Sequence, residues 1–260
     1  MSSMREISEE ATILFKDNFT YDNMSVVLAS TIVWLILHVL SHYASLAIFP
    51  KTYGGLGPKQ PFWNIRVVST IHAVLVCFLA IPLLTDEVLQ KDVLYGRTDM
   101  SNLLTCIAAG YFLYDLLGCL FYFSEFGVSF TLHGLLCFLV YFLGLRPFLH
   151  AFSPVFLLFE LSTPFLNVNW FLDKLGMTGS TLQFVNGLAL VITFIGARIV
   201  FGYYASFLYW QHTFDRYDEI HSFLFIFFGL SNVALTGLNT LWLVQMIKSL
   251  RRRFTKPKTT

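Results

Sequence analysis

The chain has 260 residues, 56% of them hydrophobic and only 13% charged, with a net charge of +1. A soluble domain carries about 25% charged residues, so this composition leaves too few charges to solvate the surface of a water-soluble particle. The mean hydropathy of +0.65, gathered in long apolar blocks, excludes a soluble globule and places the chain among all-α integral membrane proteins.

Residues 1–23 are polar and acidic, through Glu6, Glu9, Glu10 and Asp17. They lack the basic start and apolar centre of a cleaved signal peptide, so the first apolar block is expected to direct insertion. Asn18, Phe19 and Thr20 form a glycosylation acceptor sequence. A bilayer core needs about 20 apolar residues in a helix, and such blocks fall at 24–49, 66–85, 102–123, 128–145, 152–172, 180–209 and 220–248. Seven spans are predicted, with six as the alternative if the first block is not inserted. The connectors carry breakers: Gly54, Gly55, Gly57 and Pro58 after the first block, Arg146, Pro147 and Pro154 around the start of the fifth, and Gly176 and Gly179 before the sixth. Pro154 suits a first helical turn, where its missing N–H is not needed. Cys77, Cys106, Cys119 and Cys137 all lie inside apolar blocks; free buried thiols are expected rather than a disulfide framework. No metal site, cofactor or nucleic-acid partner is expected, and the oligomeric state is left open.

Orientation follows from the basic flanks. Lys248, Arg251, Arg252, Arg253, Lys256 and Lys258 crowd the end of the chain, which predicts a cytosolic C-terminus and, with seven spans, a lumenal N-terminus. The segments then assigned to the cytosol collect ten basic residues against two acids, and the opposite side six basic residues against twelve acids. Lys256 and Lys258 have the spacing of a KxKxx retrieval signal, which points to the endoplasmic reticulum; an ordinary positive-inside tail explains them equally well.

Ionisable residues within the blocks each carry an insertion cost of at least ~2.5–3.5 kcal/mol. Asp115, His133, Glu160 and Arg198 are such residues, joined by the polar His72, Asn232 and Asn239. Counting 1.5 Å per residue puts the first four in one middle-to-cytosolic layer, roughly 12–22 Å from the lumenal face. Helical phase groups Tyr111, Asp115, Gly118 and Tyr122 on one stripe, Glu160, Pro164 and Asn167 on another, and Asn232, Thr236 and Asn239 on a third. Gly187, Gly202 and Ala205 track Arg198, favouring close helix approach. These faces are expected to meet in a shared interior, either a salt-bridged structural layer or a cavity. His38 and His42 share a face but lack a third ligand, so packing or interfacial placement is expected rather than a metal. His212 and His221 read as solvated, and Trp63, Tyr209 and Trp210 as interfacial aromatics.

Residues 63–72 (WNIRVVSTIH), 110–116 (GYFLYDL), Leu132 with His133, 160–167 (ELSTPFLN), Trp170 with Phe171, and 238–242 (LNTLW) together resemble the TLC domain, shared by ceramide synthases and translocation-associated membrane proteins. The resemblance spans about residues 60–250, leaving 24–49 as an extra helix and 251–260 as a basic tail. It is sharpest at ELSTPF-x-N, which is similar to the branch called TLC domain-containing protein four. It implies six of the helices in a barrel with a cytosol-open cavity. Ceramide synthases carry a paired HH and a following HDxxD; here the pair reads His133 and Gly134, and the second motif reads Phe159 to Thr163 without either Asp.

What the resemblance implies is a protein that binds or acts on membrane lipids and influences membrane lipid composition. Arg198, Tyr111, Asn167, His72 and Asn239 would then contact lipid, Arg198 by meeting phosphate or carboxylate. The alternative is an acyl-CoA-dependent acyltransferase in which His133 attacks the thioester while Asp115 or Glu160 orients it and exchanges protons. A nascent-chain helper has only the family resemblance behind it, and a channel is disfavoured because no ring of like charges lines a face.

Overall fold

The computed structural model describes residues 21–146 and 148–255. Glu6, Glu9, Glu10, Asp17, the Asn18 acceptor, Pro147, Lys256 and Lys258 lie outside the described residues, as do the side chains of Arg251, Arg252 and Arg253. Among the described residues every regular element is helical, and seven segments are long and apolar enough to cross a membrane. The chain forms two compact units that divide after Leu157.

The first unit begins with α1 (Tyr21–Ile48), 28 residues without a Gly or Pro to break them. Its buried positions Val27, Thr31, Trp34, Ser41 and Ser45 follow a spacing of three and four, while Leu28, Ile32, Val33, Leu35, Ile36 and Val39 are exposed. The polar and small stripe faces protein and the aliphatic stripe faces outward, the reverse of a water-soluble helix and the arrangement expected in lipid. Short α2 (Pro50–Gly54) leads to α3 (Gln60–Ala80). This second apolar helix starts before the expected residue 66, because Pro61 at its first turn sets the helical φ ahead of the apolar run. After short α4 (Glu87–Lys91), α5 (Asp99–Phe121) opens on a capping box between Thr98 and Ser101. Helix α6 (Phe123–Leu143) carries a kink at Gly127, whose φ of 69° is readily reached only without a Cβ. Helix α7 (Phe152–Leu157) closes the unit.

Close backbone approach joins α1 to α5. A Cβ placed on Gly110 would lie 2.5 Å from Ser30 Cβ and 2.7 Å from the Val27 carbonyl oxygen. There Ser30 Oγ donates to the Ile107 carbonyl and Thr31 Oγ1 to the Gly110 carbonyl, at 3.2 and 3.0 Å.

The second unit begins with a 3-10 turn, Leu158–Ser162, and continues as α8 (Thr163–Lys174), α9 (Thr181–Phe194), a π-helical turn at Ile195–Val200, α10 (Phe201–Asp215) and α11 (Ser222–Thr255). The fifth apolar block is therefore not one uniform helix. Pro164 has no N–H to give the Glu160 carbonyl, so the turn before it tightens to 3-10 geometry. Ring-on-glycine contacts pack this unit: a Cβ on Gly202 would meet Phe159 Cζ at 2.8 Å, and one on Gly229 would meet Trp210 Cη2 at 2.7 Å.

Two residues expected at the membrane interface are instead core. Trp63 is buried and donates to Ser45 Oγ at 2.9 Å, and Tyr209 is buried in the second unit. Aromatic residues near block ends serve packing as readily as the interface, and hydropathy alone does not separate the two uses.

Candidate functional site

In the second unit the polar residues form a closed network around Arg198. The π-helical turn widens the backbone at Ile195–Val200 and shifts the phase on which residue 198 projects. The Arg198 guanidinium donates from Nε to Ser162 Oγ at 3.1 Å, from Nη1 to Asn239 Oδ1 at 3.1 Å, and from Nη2 to Glu160 Oε1 at 3.4 Å and Thr163 Oγ1 at 3.3 Å. Thr163 Oγ1 in turn donates to Glu160 Oε2 at 2.7 Å. Arg198 and Glu160 are both buried, and the guanidinium lies over the Phe194 and Trp242 rings, 5.4 and 6.0 Å from their centroids. An ion pair out of water needs its remaining donors and lone pairs satisfied, and the 3-10 turn supplies them by presenting Glu160 and Ser162 beside Thr163. Asn167 is buried on the following helix. Asn232 Nδ2 donates to Ser206 Oγ at 3.1 Å, tying α11 to α10.

In the first unit Asp115 is half-buried on α5 and lines a shallow surface concavity with Ile65, Tyr114, Gly118, Cys119 and Phe126. Helix α6 approaches Asp115 through Gly134. A Cβ on Gly134 would lie 3.2 Å from Asp115 Oδ2 and 3.3 Å from Leu116 Cα. His133 is half-buried one residue before; its Nδ1 lies 3.6 Å from Cys137 Sγ, and its ring meets Phe112 edge-on. The predicted stripe on α5 is thus divided in use. Asp115 and Gly118 reach the concavity, whereas Tyr111 is buried and stacks on His72 with ring centroids 3.4 Å apart.

His72 is fully buried among Tyr111, Trp34 and Phe112. Neither of its ring nitrogens has a hydrogen-bond partner among the described residues. His38 and His42 do not converge: His38 Nδ1 pairs with Tyr114 OH at 2.8 Å, and His42 Nδ1 with Tyr53 OH at 2.7 Å. Sequence reasoning missed these tyrosine partners, because nothing in linear spacing links residue 38 to 114.

His150 was also missed. Its Nε2 donates to the Arg146 carbonyl at 3.1 Å, which leaves Nδ1 as the acceptor facing Ser101 Oγ at 3.0 Å. It is buried in the turn after α6, and burial pushes the imidazole down to about 4.

The TLC domain profile matches residues 62–248. An uncharacterized TLC domain-containing protein of Schizosaccharomyces pombe is 32% identical, covering 89% of this chain and 80% of its own length. Topoisomerase I damage affected protein 4 of Saccharomyces cerevisiae is 31% identical, covering 87% of this chain and 83% of that protein. Human TLC domain-containing protein 4 is 29% identical over 82% of this chain and 83% of that protein.

Proposed function

Because the chain belongs to the TLC domain family, we propose that this multi-pass membrane protein binds lipid within the bilayer and so influences membrane lipid composition, without acyl transfer by paired imidazoles. The observation that carries this reading is the contact at Gly134. Ceramide synthases have their second histidine at the position that matches Gly134, and here a Cβ would lie only 3.2 Å from Asp115 Oδ2 and 3.3 Å from Leu116 Cα, so a side chain there needs its neighbours to give by a few tenths of an ångström. A lone imidazole at His133 lacks the neighbour that the paired arrangement supplies. A lipid-binding role needs only apolar contact for the chains and a few oriented polar groups, for which the candidates are Asp115, His133, Tyr111 and His72 in the first unit and Asn167 and Asn239 in the second, where Arg198 is already engaged by protein oxygens.

The TLC domain is taken as residues 60–250, preceded by an added helix over 24–49 and placed with its basic end in the cytosol. The ten-to-six split of basic residues supports that orientation, and protection of terminal tags from added protease tests it. Both tags on one side of the membrane would mean an even number of spans. An endoplasmic reticulum address belongs to the same reading; replacing Lys256 and Lys258 with Ser in a chain ending at Thr260 is expected to release the protein to later compartments.

A second reading keeps acyl transfer from acyl-CoA at His133. It is favoured by the half-exposed imidazole beside Cys137 and by the Asp115 carboxylate next to Gly134, an acid placed near a base. Incubation of purified protein with radiolabelled acyl-CoA separates the two. The lipid-binding reading expects no covalent label and no product, in wild type and in His133→Ala alike. Label that wild type acquires and His133→Ala loses would establish the transferase.

A further inference from the structure

Helix α11 does not stop where its apolar sequence stops. Residues 220–247 hold no Asp, Glu, Lys or Arg, and the apolar span Ser222–Ser249 has 28 residues, roughly 42 Å of helix. A hydrocarbon core is about 30 Å thick, so this length already carries the chain out of it. The helix then continues to Thr255, 34 residues in all.

The charges fall on that continuation. Lys248 is exposed and is the first of them. Positions 251, 252 and 253, all arginine, rise roughly 4.5–7.5 Å beyond it along the axis. The headgroup region extends roughly 5–8 Å past each side of the core, which puts these backbone positions at the level of the lipid phosphates. Leu241, Val244 and Ile247 are exposed and form an outward stripe on α11; helical phase carries it through positions 248, 251 and 252. A basic flank that only orients insertion needs no backbone order, whereas a helix through Thr255 holds three arginines at a fixed height.

We infer that the helical end of α11 is a docking surface for anionic glycerophospholipids of the leaflet it reaches, recognised through charge rather than through headgroup identity. Lys248, Arg251, Arg252, Arg253, Lys256 and Lys258 give residues 220–260 a charge of +6 with no Asp or Glu among them. Basic clusters of this size beside a transmembrane helix attract anionic lipid within a Debye length, and the guanidinium fork matches phosphate oxygens bidentately. The surface lies at the end of one helix and involves none of the candidate residues named above, so it goes beyond the lipid-binding reading and does not depend on it.

The test uses intact protein exchanged into micelles of phosphatidylcholine mixed equally with phosphatidylserine or with phosphatidylglycerol, all with matched chains. After size exclusion the retained lipids are quantified. At about 0.1 M salt wild type is expected to retain either anionic lipid several-fold over phosphatidylcholine. At about 1 M salt, where the screening length falls to about 3 Å, that preference is expected to vanish. The triple substitution Arg251→Gln, Arg252→Gln and Arg253→Gln is expected to bring the ratio close to one with unchanged thermal unfolding. A wild-type ratio near one, or a preference that survives high salt or the triple substitution, overturns the surface. Retention of one anionic lipid without the other overturns recognition by charge. Inorganic phosphate at matched ionic strength is expected to leave the ratio unchanged, and its abolishing the preference would make the site one for free anions. The salt comparison needs only wild type, so it decides the matter even where the triple variant fails to fold. Phosphatidylcholine retained at a ratio of one leaves the lipid-binding reading standing.

Discussion

Arg198 and Asp115 both sit in apolar helices, yet their surroundings differ in kind. Four N–H groups of Arg198 are directed at protein oxygens, with Phe194 and Trp242 over the guanidinium. Asp115 is half-buried beside a shallow concavity and faces Gly134 of α6. An ionisable residue in a membrane helix is therefore not by itself a sign of a ligand site. Saturation by neighbouring side chains marks Arg198 as holding its own unit together, whereas Asp115 is only half-buried and meets α6 across Gly134.

The largest effect that could break this contrast is at Arg198. Arg198→Met strands the Glu160 carboxylate and is expected to lower the unfolding free energy by about 3–5 kcal/mol, since removing one partner of a buried pair leaves an uncompensated charge. Arg198→Met combined with Glu160→Met is expected to recover most of the loss. Denaturation of the purified protein in mild detergent measures both. A harmless single substitution would mean that the network does not support the fold.

His150 gives a comparison outside the spans. Its folded pKa of about 4 lies below the ordinary value of 6.5, so between those values the unfolded chain binds a proton that the folded chain excludes. Its contribution is full above pH 6.5 and declines as the pH falls towards 4, by up to about 3 kcal/mol. His150→Gln is expected to flatten this part of the profile, read as the difference between wild-type and variant unfolding temperatures from pH 7 to pH 4.5.

At Gly134 a smaller loss is expected. Gly134→Leu forces α6 away from Leu116 and Asp115, which costs about 1–3 kcal/mol by overpacking. Gly134→His is expected to lose stability similarly and to gain no acyl transfer. Asp115→Asn gives the smallest stability change, under about 1 kcal/mol, because the group is half-buried at an open surface. A large loss there would make Asp115 a structural residue like Arg198 and erase the contrast.

Much of the fold was legible because hydropathy acts over lengths of about 20 residues, and every expected block has a helical counterpart. Helix starts were less so: Pro61 and the Thr98 capping box begin helices in polar sequence, where an apolar window finds nothing. The approach of Arg198 to Glu160 and Asn239 could be anticipated as a pairing of polar faces. The π-helical turn at Ile195–Val200 could not, since an added residue in a turn answers to packing rather than to composition. Gly134 illustrates the same limit at the candidate site. The sequence marks it as a missing histidine, and only the apposition of α6 and α5 makes it a steric contact.

The proposed role as a lipid binder without acyl transfer is tested most directly by native mass spectrometry of the wild-type protein released from membranes into a gentle detergent. The expected spectrum shows the chain with intact glycerophospholipid bound non-covalently, removable by collisional activation and still present in His133→Ala. A spectrum showing only the bare chain, or a covalent acyl increment that maps to His133, would contradict it.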